Sequence, residues 1–161
     1  RAPNRPRVES ASSPARERRR LSGADLKYVG ERTAGGLHVY VVEAGVLIRP
    51  LSPRLDLFNH SPLGFECGYQ GSGPAQLALA ILADHLATRA DEILAACFAG
   101  CESDEVDLRR TSLADRVAVH LHQAFKASVI AKLPRDRAFA LTSAEVSSAI
   151  AELCAKNRGG A

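Results

Sequence analysis

The chain has 161 residues, enough for one domain with a core of its own, and its 46% hydrophobic and 24% charged residues are ordinary for a globular protein. Aromatics make up only 5%, with no Trp and no Met, so the core has to be assembled from Leu, Ile, Val and Ala. No apolar run approaches the ~20 residues that cross a bilayer, and no apolar h-region follows the start, so neither a membrane partner nor a signal peptide is predicted.

The net charge of +3 is unevenly placed. Residues 1–20 hold seven arginines against Glu9 and Glu17, a net of +5, and the remainder carries a net of −2. The basic character therefore belongs to the tail. The segment 1–22, RAPNRPRVESASSPARERRRLS, has almost no large apolar residue and cannot offset its ordering entropy by burial, so it is expected to be disordered. Arg16, Arg18, Arg19 and Arg20 could make weak nucleic-acid contacts through phosphates, or simply solvate the tail. An organellar transit segment is a further reading, disfavoured by the prolines and glutamates. A chain that starts at Arg1 reads as processed, trimmed or partial. Cys67, Cys97, Cys101 and Cys154 are too few for a disulfide scaffold and read as reduced thiols of a cytoplasmic protein.

From Leu26 the pattern turns to strands. LKYVGER, GLHVYVVE and GVLIRPL are β-branched or aromatic runs separated by TAGG and AG turns. Leu37, Val39 and Val41 alternate with His38, Tyr40 and Val42, which predicts an antiparallel meander with one covered face. The passage RPLSPRLDLFNHSPLGFECGYQGSG is broken by prolines and glycines yet apolar at Leu55, Leu57, Phe58, Leu63 and Phe65, the signature of a packed loop. Pro74 then opens an apolar helix, PAQLALAILADHLATRADEIL, with Ser72 or Gly73 as the expected N-cap and a buried, central position.

Residues 89–112 read as an insertion or surface loop. A second helix is predicted over Leu113 to Leu133 from a stripe of Leu113, Val117, Leu121, Phe125, Val129 and Leu133. Pro134 breaks it, and KLPRDRAFAL offers a short extended piece. Thr142 and Glu145 form a capping box that starts a last helix, running to about Lys156. The expected architecture is a single α+β domain over 24–157, a small N-terminal antiparallel β-meander packed on about three helices.

The chemistry-bearing candidates gather where GYQGSGP meets the first helix. A helix N-terminus offers unpaired N–H groups to an anion. This one lacks the Lys-Ser/Thr of a P-loop, does not follow a strand as G-x-G-x-x-G, and loses one donor to Pro74. Tight backbone packing, with Gln76 bonding loop carbonyls, is the alternative. Cys97, Cys101, His120 and His122 have no spacing typical of a zinc module, so no metal is predicted, and His120 and His122 read as surface histidines. The acidic run at Glu102, Asp104, Glu105 and Asp107 lacks the pattern of a calcium loop. No cofactor is implied.

The string NHSPLGFECGYQGSGPAQLALAILADHL, followed by HLHQAFKASVIAKLP and ALTSAEV, resembles an uncharacterised prokaryotic domain family found in bacteria, archaea, phages and plasmids, over about Tyr28 to Ile150. Its motif has the form N-H-S-P-x-G-F-x-W-G-Y-x-G-S-G-P-A-Q-L-A-L-A. Cys67 stands here in place of the Trp, and Phe139 or Ala140 near the position of a later one. The resemblance implies no activity, but it marks Asn59, His60, Ser61, Tyr69, Gly71, Ser72, Gly73 and Gln76 as candidate ligand-binding residues. No carboxylate neighbours His60 in sequence to complete a triad. The leading expectation is a cytoplasmic binding or interaction module associated with mobile genetic elements, with an anion or protein as ligand at the 59–76 loop. The alternatives are an enzyme acting on a nucleotide or phosphoester with His60 as base, and nucleic-acid attachment through the tail.

Overall fold

A computed structural model of the chain describes residues 26–88 and 112–158. The expected tail and the 89–111 segment, with Cys97, Cys101 and the acidic run Glu102, Asp104, Glu105 and Asp107, lie outside the described residues.

The predicted meander is present as β1 (Leu26–Thr33), β2 (Gly36–Glu43) and β3 (Val46–Pro50). Each turn has a local reason. Thr33 faces Gly36 across a two-residue loop, and the Thr33 hydroxyl accepts from the Gly35 N–H at 3.1 Å. Ala44 and Gly45 both take positive φ, at 49° and 79°, as the tight turn between two twisted strands requires. The short extended piece after Pro134 becomes β4 (Phe139–Thr142), which pairs antiparallel with β1 and completes a sheet of order β3-β2-β1-β4. Tyr28, Gly30, Leu37, Val39, Val41, Phe139 and Leu141 occupy the covered face, in keeping with the period-two alternation.

Three helices cover that face. The first, α1 (Ser72–Thr88), is buried almost continuously from Gly73 to Ala83, so the near-absence of a polar side in its sequence is explained by its central place. It begins at Ser72 rather than Pro74. The Gly71 carbonyl accepts the Ala75 N–H at 3.1 Å, so the cap falls one residue before the Ser72-Gly73 pair expected to supply it. Asp84 fastens α1 to the sheet by accepting the Tyr28 hydroxyl at 3.0 Å and pairing with Arg49.

The second helix, α2 (Leu113–Ser128), packs along α1 and buries Val117, Leu121 and Phe125, the middle of the predicted stripe. It stops five residues short of Leu133. Val129 leaves helical geometry at φ −121°, and a single 3-10 turn, Ile130–Lys132, carries the chain toward Pro134. Successive β-branched residues ahead of a proline disfavour continuation. The last helix, α3 (Ser143–Arg158), starts on the predicted capping box: Thr142 N–H and Oγ1 donate to Glu145 Oε2 at 2.8 and 2.7 Å, and the Glu145 N–H returns to Thr142 Oγ1 at 3.2 Å. Cys154 on α3 is disulfide-bonded, which corrects the expectation of four reduced thiols, whereas Cys67 is a free, buried thiol. Among the described residues no helix is long and apolar enough to cross a membrane.

Candidate functional site

The irregular passage from Leu51 to Gly71 lies against the start of α1, and one side chain organises its first half. Gln76 is fully buried on α1. Its amide nitrogen donates to the carbonyls of Pro53 (2.5 Å) and Phe58 (3.1 Å), and its amide oxygen accepts the N–H groups of His60 (2.8 Å) and Ser61 (3.2 Å). Both donors and both lone pairs are thereby used. Gln76 supplies to the loop the partners that a strand or helix would otherwise give its backbone. Arg54 adds a second fastening, paired with Asp56 at 3.0 Å and with Asp115 in the first turn of α2 at 2.8 Å.

Pinned in this way, the loop directs His60 toward α2. His60 Nε2 lies 2.8 Å from His122 Nε2, and the Phe58 ring stacks on His60 at 4.3 Å between centroids. His122 is therefore not a surface residue: it is 6% exposed, and its Nδ1 is 2.5 Å from the Val119 carbonyl of its own helix. Since a carbonyl can only accept, Nδ1 carries the proton and Nε2 presents its lone pair in the neutral ring. The Gln123 side-chain amide also reaches His122 Nε2, at 2.9 Å. Burial first, then its neighbours His122 and Lys126, hold His60 below its ordinary value. His120, two residues from His122, points the other way and is exposed. Among the described residues, no three His, Cys, Asp or Glu side chains converge as a metal set.

The second half of the passage borders a groove of ≈ 600 Å³ between β2 and the 61–73 segment. This volume is in the range of small-molecule sites. The groove exists because β3 pairs with β2 only from Tyr40 to Glu43, and the Gly36–Val39 half of β2 meets other partners. Leu51 donates to the Val39 carbonyl at 2.8 Å, and Phe65 bridges to Leu37. The gap between them is lined by His38 and Tyr40 from β2 and by Ser61, Tyr69, Ser72 and Gly73 from the candidate set. Arg135 stacks over the Tyr69 ring, 4.8 Å from its centroid. Glu66, on the same wall, is held by Arg32 through two contacts at 2.6 and 3.3 Å, which keep its carboxyl below the usual value.

Two glycines explain how this wall stays close to its surroundings. Gly68 has φ +83°, donates to the Ile130 carbonyl at 3.0 Å, and a Cβ there would lie 2.9 Å from the Leu133 carbonyl oxygen. At Gly73 a Cβ would lie 2.6 Å from that of Glu66. Cys67, next to Gly68, is buried, with its thiol on the Pro134 carbonyl at 3.3 Å; burial pushes the thiol up and keeps it protonated.

The eight candidate residues thus separate. Ser61, Tyr69, Ser72 and Gly73 line the groove. Gly71 lies beside the Tyr69 ring, Asn59 is exposed, His60 turns to His122, and Gln76 is buried beneath the loop. The sequence reading missed His122 as the partner of His60 and missed His38 and Tyr40 as groove residues. Nothing in local spacing marks a contact made across 62 positions. The outward alternation of His38 and Tyr40 on β2 was visible, but not that the neighbouring strand falls short of them.

No curated protein and no solved structure matches the chain. Residues 28–99 match the model of a family of unknown function, DUF6166, a stretch that takes in β1 from Tyr28 on, β2, β3, the whole Leu51–Gly71 passage and α1.

Proposed function

We propose that the domain is a binding module whose ligand occupies the groove between β2 and the 61–73 segment. The observation that carries this reading is the groove itself, ≈ 600 Å³ and lined by Ser61, Tyr69, Ser72 and Gly73 together with His38 and Tyr40. Hydroxyls, an imidazole and aromatic faces along one cleft suit a small polar ligand with a flat or apolar part. Glu66 adds little free charge, because Arg32 neutralises it. His60 serves this module by holding the loop, as its imidazole is engaged with His122.

The test is amide chemical-shift mapping of the labelled protein against a defined panel of nucleotides, amino acids and inorganic phosphate. A ligand should move the signals of Ser61, Tyr69, Ser72 and Gly73, and Tyr69→Ala should weaken it about tenfold or more. Shifts centred on His60 and α2 with the groove silent would overturn the reading in favour of chemistry at the histidine pair. Loss of affinity on removing residues 1–22, with a steep salt dependence, would favour attachment through the tail.

A further inference from the structure

We propose that the outer face of the sheet docks a second copy of this chain, the two faces meeting with their β1 strands antiparallel. The helices cover the face that bears Tyr28, Val39 and Leu141. Residues alternating with these stand on the opposite face, and the strand register arranges them in rows. Ala140, Val29, Tyr40 and Pro50 lie side by side across all four strands as the middle row. Lys27, Val42 and Leu47 flank it on one side, Glu31 and His38 on the other. None of them is buried, and Leu47 is 58% exposed. A solvated antiparallel face ordinarily turns polar side chains outward. This one keeps its centre apolar and carries its charges on β1, at either end of the middle row's flanks.

Those charges select the occupant. Lys27 and Glu31 stand two residues to either side of Val29, each about 7 Å away along the strand. Among the described residues neither takes part in an ion pair. A two-fold axis over Val29, lying between the faces and perpendicular to the strands, sets Lys27 against Glu31 of the partner subunit and Glu31 against Lys27 of the partner subunit. Val29 then meets the partner's Val29 and Tyr40 meets the partner's Tyr40, so one patch serves both copies. Turned about the strand direction instead, the faces would set Lys27 against the partner's Lys27. The aligned packing of two twisted sheets, within about 30°, accommodates the first arrangement. Burial of the middle row drives association, and the rim charges fix its orientation. Pairing through the edge of β3 is opposed by its irregular register opposite Val41 and Val42 and by Pro50.

The test is sedimentation equilibrium of the whole 161-residue chain at low salt, from about 10 μM to about 1 mM. A reversible dimer is expected. Lys27→Glu alone and Glu31→Lys alone should each weaken it about tenfold or more, because both rim pairs become like-charged. An equimolar mixture of these two variants should regain the original affinity, since one copy then offers only acidic groups at the two positions and the other only basic ones. The double variant Lys27→Glu/Glu31→Lys should regain it as well. Val29→Lys, which sets two cations together on the axis, should leave the chain monomeric with its circular dichroism unchanged. A chain that stays monomeric throughout, a dimer indifferent to the single reversals, or single variants that mixing does not rescue would each overturn the proposal. The readout needs no ligand, so its failure is distinct from failure of the groove as a binding site.

Discussion

Between Pro53 and Ser61 the chain is fastened from beneath by one buried amide side chain, whereas between Leu63 and Gly73 it is fastened by backbone proximity. In the first half, Gln76 meets four backbone groups of the loop and His60 reaches down to His122. In the second, Gly68 and Gly73 sit where a Cβ would strike the Leu133 carbonyl or Glu66, and Tyr69 and Ser72 between them line the groove. Leu63, at the junction, is 99% exposed, which marks where the chain leaves one support before meeting the next. A loop can thus be rigid by two different means, and the second leaves more of its polar side chains on the groove: Tyr69 and Ser72, against Ser61 alone from the first.

The comparison can be broken at each support. The largest effect is expected from Gln76→Ala, which leaves the Pro53 and Phe58 carbonyls and the His60 and Ser61 amides without their partner. It should cost about 3 kcal/mol or more in urea denaturation, and Gln76→Glu, which keeps the acceptor but not the donors, should recover only part of that. Next comes Gly68→Ala, with positive φ and a Cβ 2.9 Å from a backbone oxygen, at about 2 kcal/mol. Tyr69→Ala should cost about 1 kcal/mol through its lost stacking with Arg135, yet remove most groove affinity. Ser72→Ala, at an exposed position, should change stability by no more than about 0.5 kcal/mol.

A pH experiment sharpens the same division. Arg32 holds the Glu66 carboxyl low, so the pair contributes stability above the ordinary glutamate range and loses it as the pH falls through the depressed value. In Arg32→Gln the Glu66 titration followed by NMR should move up toward 4.5, the ordinary value. The stability that His60 contributes is lost at higher pH than that of this pair, since the histidine window begins near 6.5 and the carboxylate window near 4.5. On acidification the Pro53–Ser61 half should therefore loosen before the wall at Glu66 does.

Much of the architecture was legible because it depends on local periodicity. The alternation in GLHVYVVE, the apolar run from Leu77 to Ala83 and the Thr142–Glu145 spacing each dictate an element without reference to anything distant. The position of Gln76 in an otherwise apolar helix was a legible anomaly, and its bonding of loop carbonyls follows from it. Contacts set by tertiary geometry were not legible. β4 joins β1 across more than a hundred residues, and its four-residue length gives no periodicity to read. The end of α2 depends on Val129 leaving helical geometry, although the apolar stripe continues to Leu133. His60 and His122 meet only because α2 lies along α1. The groove arises from a strand that stops short, a property of pairing rather than of composition.

The measurement that bears most directly on the two-sided loop is the difference in urea unfolding free energy between Gln76→Ala and Ser72→Ala, residues four apart at the start of one helix. The account predicts a gap of about 2.5 kcal/mol or more, with Gln76→Ala the less stable. Equal losses for the two variants would contradict it, because the passage would then have no inner, load-carrying side distinct from the face that lines the groove.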